Sequence, residues 1–101
     1  MIVEYIRYRI DAERIDAFMR AYEEAQARLQ ESPHCLGYEL SRCTEAPDHF
    51  VLRIEWTSEK DHLQGFRRSP QFQPFLKGVQ PFVKDIEEMR HYAPTTLQWS
   101  R

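Results

Sequence analysis

Four histidines, five tyrosines, two tryptophans and two cysteines carry most of the reactive chemistry open to this 101-residue chain. Histidine is the side chain that titrates nearest neutral pH. A general base must reach its proton at hydrogen-bond distance with a pKa near the working pH. His91, on a predicted last strand beside the first, is the leading candidate for such a base, and His62, in a short predicted helix, is the second. Tyr8 or Tyr38 could hydrogen-bond a substrate oxygen, and Arg42 could stabilise an oxyanion. Together with Trp56, Phe66 and Phe72, the two tyrosines would line a cleft suited to a flat, apolar ligand. The same aromatics, at sheet and helix spacing, serve equally well as plain core.

Other chemistries lack their residues. His34 and His49 fall in predicted turns, and no two histidines have helical ligand spacing, so no metal site is expected. Glycine occurs only at 37, 65 and 78, which leaves no phosphate-cradling loop. No Gly-x-Ser-x-Gly elbow is present. Nothing near Cys35 or Cys43 marks a lowered thiol pKa, and both read as packing residues. On one continuous strand they would stand about 26 Å apart, too far for a bond. Glu87 and Glu88 point to opposite faces of a strand and make a poor catalytic pair.

The elements that must position these residues follow from periodicity. Residues 2–10 read as a strand with Ile2, Ile6, Tyr8 and Ile10 on one face, Glu4 being the exception there. Asp11 is a natural N-cap. Beyond it Ile15, Phe18, Met19, Tyr22 and Leu29 recur at helical spacing, which predicts an amphipathic helix over 12–31, stopped by Ser32-Pro33. A second strand is predicted over 35–43, with Leu36, Tyr38 and Leu40 on one face. A turn follows at 45–49, then a third strand at 50–56 with the clearest alternation in the chain. Ser58 and Asp61 resemble a capping box before a short helix carrying Leu63 and Phe66. Ser69-Pro70 starts a further helix with Phe72, Phe75, Leu76, Val79 and Val83 on its apolar side, ended or kinked by Pro81. Residues 85–92 form a fourth strand of poor alternation, consistent with a bulge.

The order is β-α-β-β-α-β, the ferredoxin-like α+β pattern with a four-stranded antiparallel sheet and helices on one face. Residues 1–92 make the domain and 93–101 a C-terminal tail. The second sheet face mixes Val3, Tyr5 and Val51 with Arg7, Arg9, Glu39, Arg53 and Glu55. It suits a solvated face with cross-strand ion pairs or an interface with another sheet, evenly.

Composition excludes several classes. A net charge of 14 − 16 = −2, with no basic block, argues against nucleic acid. No apolar run approaches the ~20 residues of a membrane span. No secretory leader opens the chain, so a cytoplasmic protein is expected.

The segments IVEYIRYRI, GYEL and VLRIEWTSEKDHLQGFRRSPQFQPF, in this order and spacing, resemble the antibiotic biosynthesis monooxygenase family over about residues 1–92. The resemblance implies a dimeric α+β barrel, a homodimer formed through the sheet faces. Some members oxidise phenols, anthrones or quinols with molecular oxygen and no cofactor. The haem-degrading relatives carry an asparagine, a tryptophan and a histidine that align near Arg7 or Tyr8, at Phe66 and at Leu76, and all three positions depart from that pattern. Phe66 also stands where many members have histidine. The stretch SPHCLGYELSRC resembles segments joined to truncated globins. The function implied is a cofactor-independent monooxygenase of a small aromatic, phenolic or quinol compound. The alternatives are a small-molecule-binding module and a dimerisation module serving a globin or redox partner.

Overall fold

The computed structural model describes residues 1–101. β1 (Ile2–Arg9) leads through a 3-10 turn (Ala12–Arg14) into α1 (Ile15–Glu31). β2 (Cys35–Arg42) and β3 (His49–Trp56) form a hairpin. A π-helical turn (Asp61–Phe66), α2 (Phe72–Val79), a 3-10 turn (Gln80–Asp85) and β4 (Ile86–Tyr92) complete the chain. The sheet order is β2-β3-β1-β4, with every neighbouring pair antiparallel. This is the ferredoxin-like α+β arrangement expected from the sequence.

β1 is a central strand. It pairs with β3 without interruption from Ile2↔Trp56 to Arg9↔His49, and with β4 on its other side. Strand parity then sends Ile6, Tyr8, Leu52, Ile54 and Trp56 to the helix side, where they are buried. α1 lays Phe18, Tyr22, Ala25 and Leu29 on them, and Phe75, Val79 and Phe82 close the layer. Arg14 ties the start of α1 to the turn after α2: it forms a 2.7 Å ion pair with Asp85 and donates to the Pro81 carbonyl at 2.9 Å.

Several local expectations are corrected. The Asp11 side chain makes no cap. Its carbonyl accepts from the Arg14 N–H, and the resulting 3-10 turn delays α1 to Ile15. Met19 is exposed, because the buried stripe passes through Phe18 and Tyr22. Leu36 is also exposed. The β2–β3 register slips between Cys35 and Gly37, so Leu36 is left outside the ladder while Cys35 packs against the core. Cys43, one residue past β2, is exposed rather than packed, and both cysteines are free. The irregularity anticipated in the last strand is present: Arg7 pairs with Glu88 but Tyr8 with Ile86, so Glu87 is the extra residue. The capping box holds on one side only. The Asp61 N–H donates to Ser58 Oγ at 2.9 Å, while the Asp61 carboxylate accepts from the Thr57 hydroxyl.

The outer face of the sheet carries a cross-strand charge pair, Arg7–Glu88 at 3.8 Å, and a pair along β3, Arg53–Glu55 at 3.6 Å, around an edge-on Tyr5–Tyr92 contact. No helix is long and apolar enough to cross a membrane.

Candidate active site

The even-numbered positions of β1 face the core, and one of them is Glu4. Its neighbours across the sheet are Ile54 on β3 and His91 on β4. Trp56, at the end of β3, donates its indole N–H to Glu4 Oε1 at 3.1 Å. After Trp56 the chain turns back over the sheet, and the π-helical turn sets His62 flat on the indole, with ring centres 4.4 Å apart and planes 13° apart. That turn lies close to the loop before β2. A Cβ on Gly65 would stand 2.6 Å from the His34 ring, so glycine permits the approach.

His62 faces a different partner with each ring nitrogen. Nε2 lies 3.5 Å from Glu4 Oε1, and Nδ1 lies 2.6 Å from Nε2 of His91. The other nitrogen of His91 lies 3.7 Å from the carboxylate of Glu59, which is 57% exposed. Glu4 and His62 are buried, and His91 is mostly so. Burial pushes the Glu4 carboxyl up to about 7, against smaller opposing effects of the Trp56 hydrogen bond and the Arg67 charge. Burial, with Arg67 and His91 adding to it, holds His62 down at about 3. Near neutral pH the site therefore contains a neutral imidazole and a carboxyl group divided between its two forms.

Beside this cluster lies a cavity of about 150 Å³ between sheet and helices. Its walls include Tyr8, Trp56, Phe66, Phe72 and Phe75, with Glu4, His62 and Arg67 as its charged or titratable members besides the tyrosines. Tyr8 is hydrogen-bonded through its hydroxyl to Tyr22, and burial raises its pKa to about 12. The structure thus brings five of the eight sequence candidates to one cavity: Tyr8, Trp56, His62, Phe66 and Phe72. His91 stands behind His62. Tyr38 lies elsewhere, between α1 and β2, bonded to Gln26 and Gln30. Arg42 also lies away from the cavity, at the β2–β3 turn, where it donates to the Pro47 carbonyl at 2.6 Å and covers Phe50.

Glu4 and Arg67 are the members that sequence reasoning missed. Glu4 did leave a signal, as the single charged residue on an otherwise apolar strand face. Glu4, His62 and His91 are also the residues that could hold a divalent cation, since each offers one ligand atom within 4.8 Å of the others.

Residues 1–78 match the family model described as antibiotic biosynthesis monooxygenase. The chain belongs to this family. Among solved structures, this monooxygenase-family chain is similar to a Bordetella bronchiseptica protein assigned to the antibiotic biosynthesis monooxygenases. The likeness has a TM-score of 0.76 and 25% identity, covering 93% of this chain and 96% of that one. It is also similar to a conserved protein from Methanosarcina mazei Go1, with a TM-score of 0.77, 19% identity and 93% and 92% coverage. The uncharacterized protein YczJ of Bacillus subtilis (strain 168) is 25% identical over 75 residues, which are 74% of this chain and 79% of that protein. Family and fold together support a monooxygenase-like role.

Proposed function

We propose that this family member is a cofactor-independent monooxygenase of a small aromatic phenol or quinol, with Glu4 as its base. The observation that supports this reading is a single buried carboxyl group in the wall of an aromatic-lined cavity. Oxygenation without a cofactor draws both electrons from the substrate. A base removes a proton, the carbanion or phenolate reduces oxygen, and the carbon–oxygen adduct takes up a proton to give a hydroperoxide. The hydroperoxide then loses water to leave one oxygen atom in the product. Glu4, with its pKa near 7, suits the first step at neutral pH. Arg67, beside the same cavity, would stabilise the substrate oxyanion, and Tyr8, bonded to Tyr22, stays neutral. His62 and His91 act as acid–base partners of Glu4.

Size narrows the substrate. A cavity of about 150 Å³ matches the volume known to admit a benzene ring. It favours single-ring phenols and hydroquinones over polycyclic ones and is small for a flavin or a haem. The homodimer would form through the outer sheet faces, with Tyr5, Val51 and Tyr92 among the contacts, in a cytoplasmic protein.

Oxygen uptake by chelator-treated, flavin-free protein over a panel of hydroquinones and phenols tests the reading. Saturable uptake above a boiled control, lowered about 10²-fold or more in Glu4→Gln, is the expected result. Stoichiometric binding of the panel without turnover would replace it with a small-molecule-binding module.

A further inference from the structure

We propose that His62 and His91 form a proton path that connects Glu4 at the cavity wall to the exposed carboxylate of Glu59. The proposal deepens the reading of Glu4 as the cavity's base, and its main test does not depend on turnover.

A path and a metal site use the same three side chains differently. The two nitrogens of an imidazole lie on different sides of the ring. His62 turns Nε2 to Glu4 and Nδ1 to His91, whereas an ion held by the three residues takes only one of these nitrogens. A chain of hydrogen bonds uses both. His91 repeats the pattern, with Nε2 toward His62 and Nδ1 toward Glu59. The central link is already short at 2.6 Å. The outer links, at 3.5 and 3.7 Å, must each close by roughly half an ångström or more, or through one water, to carry a proton.

The proton count closes in both directions. With Glu4 protonated, its O–H donates to His62 Nε2, His62 Nδ1–H donates to His91 Nε2, and His91 Nδ1–H donates to Glu59. Three transfers then follow: Glu4 to His62 Nε2, His62 Nδ1 to His91 Nε2, and His91 Nδ1 to Glu59. Afterwards Glu4 is ionised, Glu59 holds the proton and passes it to water, and both imidazoles are neutral with their tautomers reversed. A proton taken from substrate by Glu4 thus leaves the cavity without an imidazolium being stored in a buried site. The groups facing this chain are the Trp56 N–H from β3, Tyr8 from β1, Arg67 from the π-helical turn's end and Glu59 before that turn. Arg67 is the one fixed positive charge among them, and it opposes charging of His62.

The test is imidazole ¹⁵N NMR of the full chain between pH 5.5 and 8.5. The expected result is that His62 stays neutral throughout and exchanges its Nδ1–H tautomer for Nε2–H. The midpoint follows Glu4, near 7. Glu4→Gln abolishes that exchange, with circular dichroism confirming the fold. His91→Phe removes the acceptor of Nδ1–H and holds His62 in the Nε2–H form at every pH, which keeps the test open should Glu4→Gln fail to fold. A fixed tautomer in the wild type, charging of His62 within this range, or an exchange that survives both substitutions overturns the path. So does one equivalent of zinc ion bound by wild type and lost in both variants, which would make the cluster a metal site. Absence of oxygen uptake would sink the proposed activity and leave this result standing, so the two failures are distinguishable.

Discussion

Glu4 and Tyr8 sit four residues apart on the same strand and the same face, both at 2% exposure, and their chemistry diverges. Around Tyr8 the surroundings are rings. Phe18 alone touches Tyr8, Tyr22, Phe50 and Phe82 with centres 4.9 to 5.3 Å apart, and the Tyr8 hydroxyl is bonded to that of Tyr22. Around Glu4 stand an indole N–H and two imidazoles. Burial acts the same way on both acids and disfavours the charged form. A phenol that starts at 10 is driven to about 12 and stays silent near neutral pH. A carboxyl group that starts at 4.5 is driven to about 7 and becomes responsive. One desolvation effect leaves one acid silent near neutral pH at one end of the strand and the other titrating there.

The largest expected effect breaks the Tyr8 end. Phe18→Ala removes the ring on which four others pack and should destabilise by about 3–5 kcal/mol, read from urea unfolding. Next is Glu4→Gln, which should act with the opposite sign and only at high pH. Because the folded pKa of Glu4 is raised from 4.5 to about 7, the native state holds its proton more tightly than the unfolded chain does. Stability is then full below about 4.5 and falls as pH rises through 7. Replacing the acid should recover about 3 kcal/mol at pH 8 and nothing of this kind at pH 4, which paired thermal melts will show. His62 has the reverse sign, since its folded pKa is depressed to about 3. It withholds stability as pH falls below 6.5, so His62→Gln should flatten the acid side of the same profile. Tyr22→Phe sharpens the contrast: it strands the Tyr8 hydroxyl at a cost of about 1–2 kcal/mol, with no change in the shape of the pH profile below 9. The smallest effect lies outside both ends. Arg7→Ala loses an exposed 3.8 Å pair with Glu88 and should shift stability by less than about 0.5 kcal/mol, measurable by a double-mutant cycle.

Legibility in the sequence followed the strength of the period. β3 alternates without a break and was found within one residue, because both its faces are set by a period of two. β2 was found as a strand with Tyr38 and Leu40 facing inward, but Leu36, expected beside them, is exposed. The slip at Leu36 depends on how the chain leaves Ser32-Pro33 and meets Trp56, which local pattern does not encode. In the site, Tyr8, Trp56, Phe66 and Phe72 were readable as apolar residues on inward faces. Tyr38 looked equivalent to Tyr8, yet the edge position of β2 places it against the glutamines of α1 instead. His62 and His91 were readable as titratable residues, but nothing in a 29-residue separation indicates that their rings touch.

The sequence by itself determined the order of elements, the inward faces of the central strands and the anomaly of a carboxylate among isoleucines, because these follow from period and composition. The tertiary structure alone decided what that carboxylate meets. β1 has β3 on one side and β4 on the other, which brings Trp56 and His91 to Glu4 from opposite neighbours, and the fold-back after β3 drops His62 onto the indole. A pKa displaced by burial depends on which atoms exclude water from a group and which donors replace it. Those atoms come from four separate stretches of chain, so only their assembly creates the chemistry.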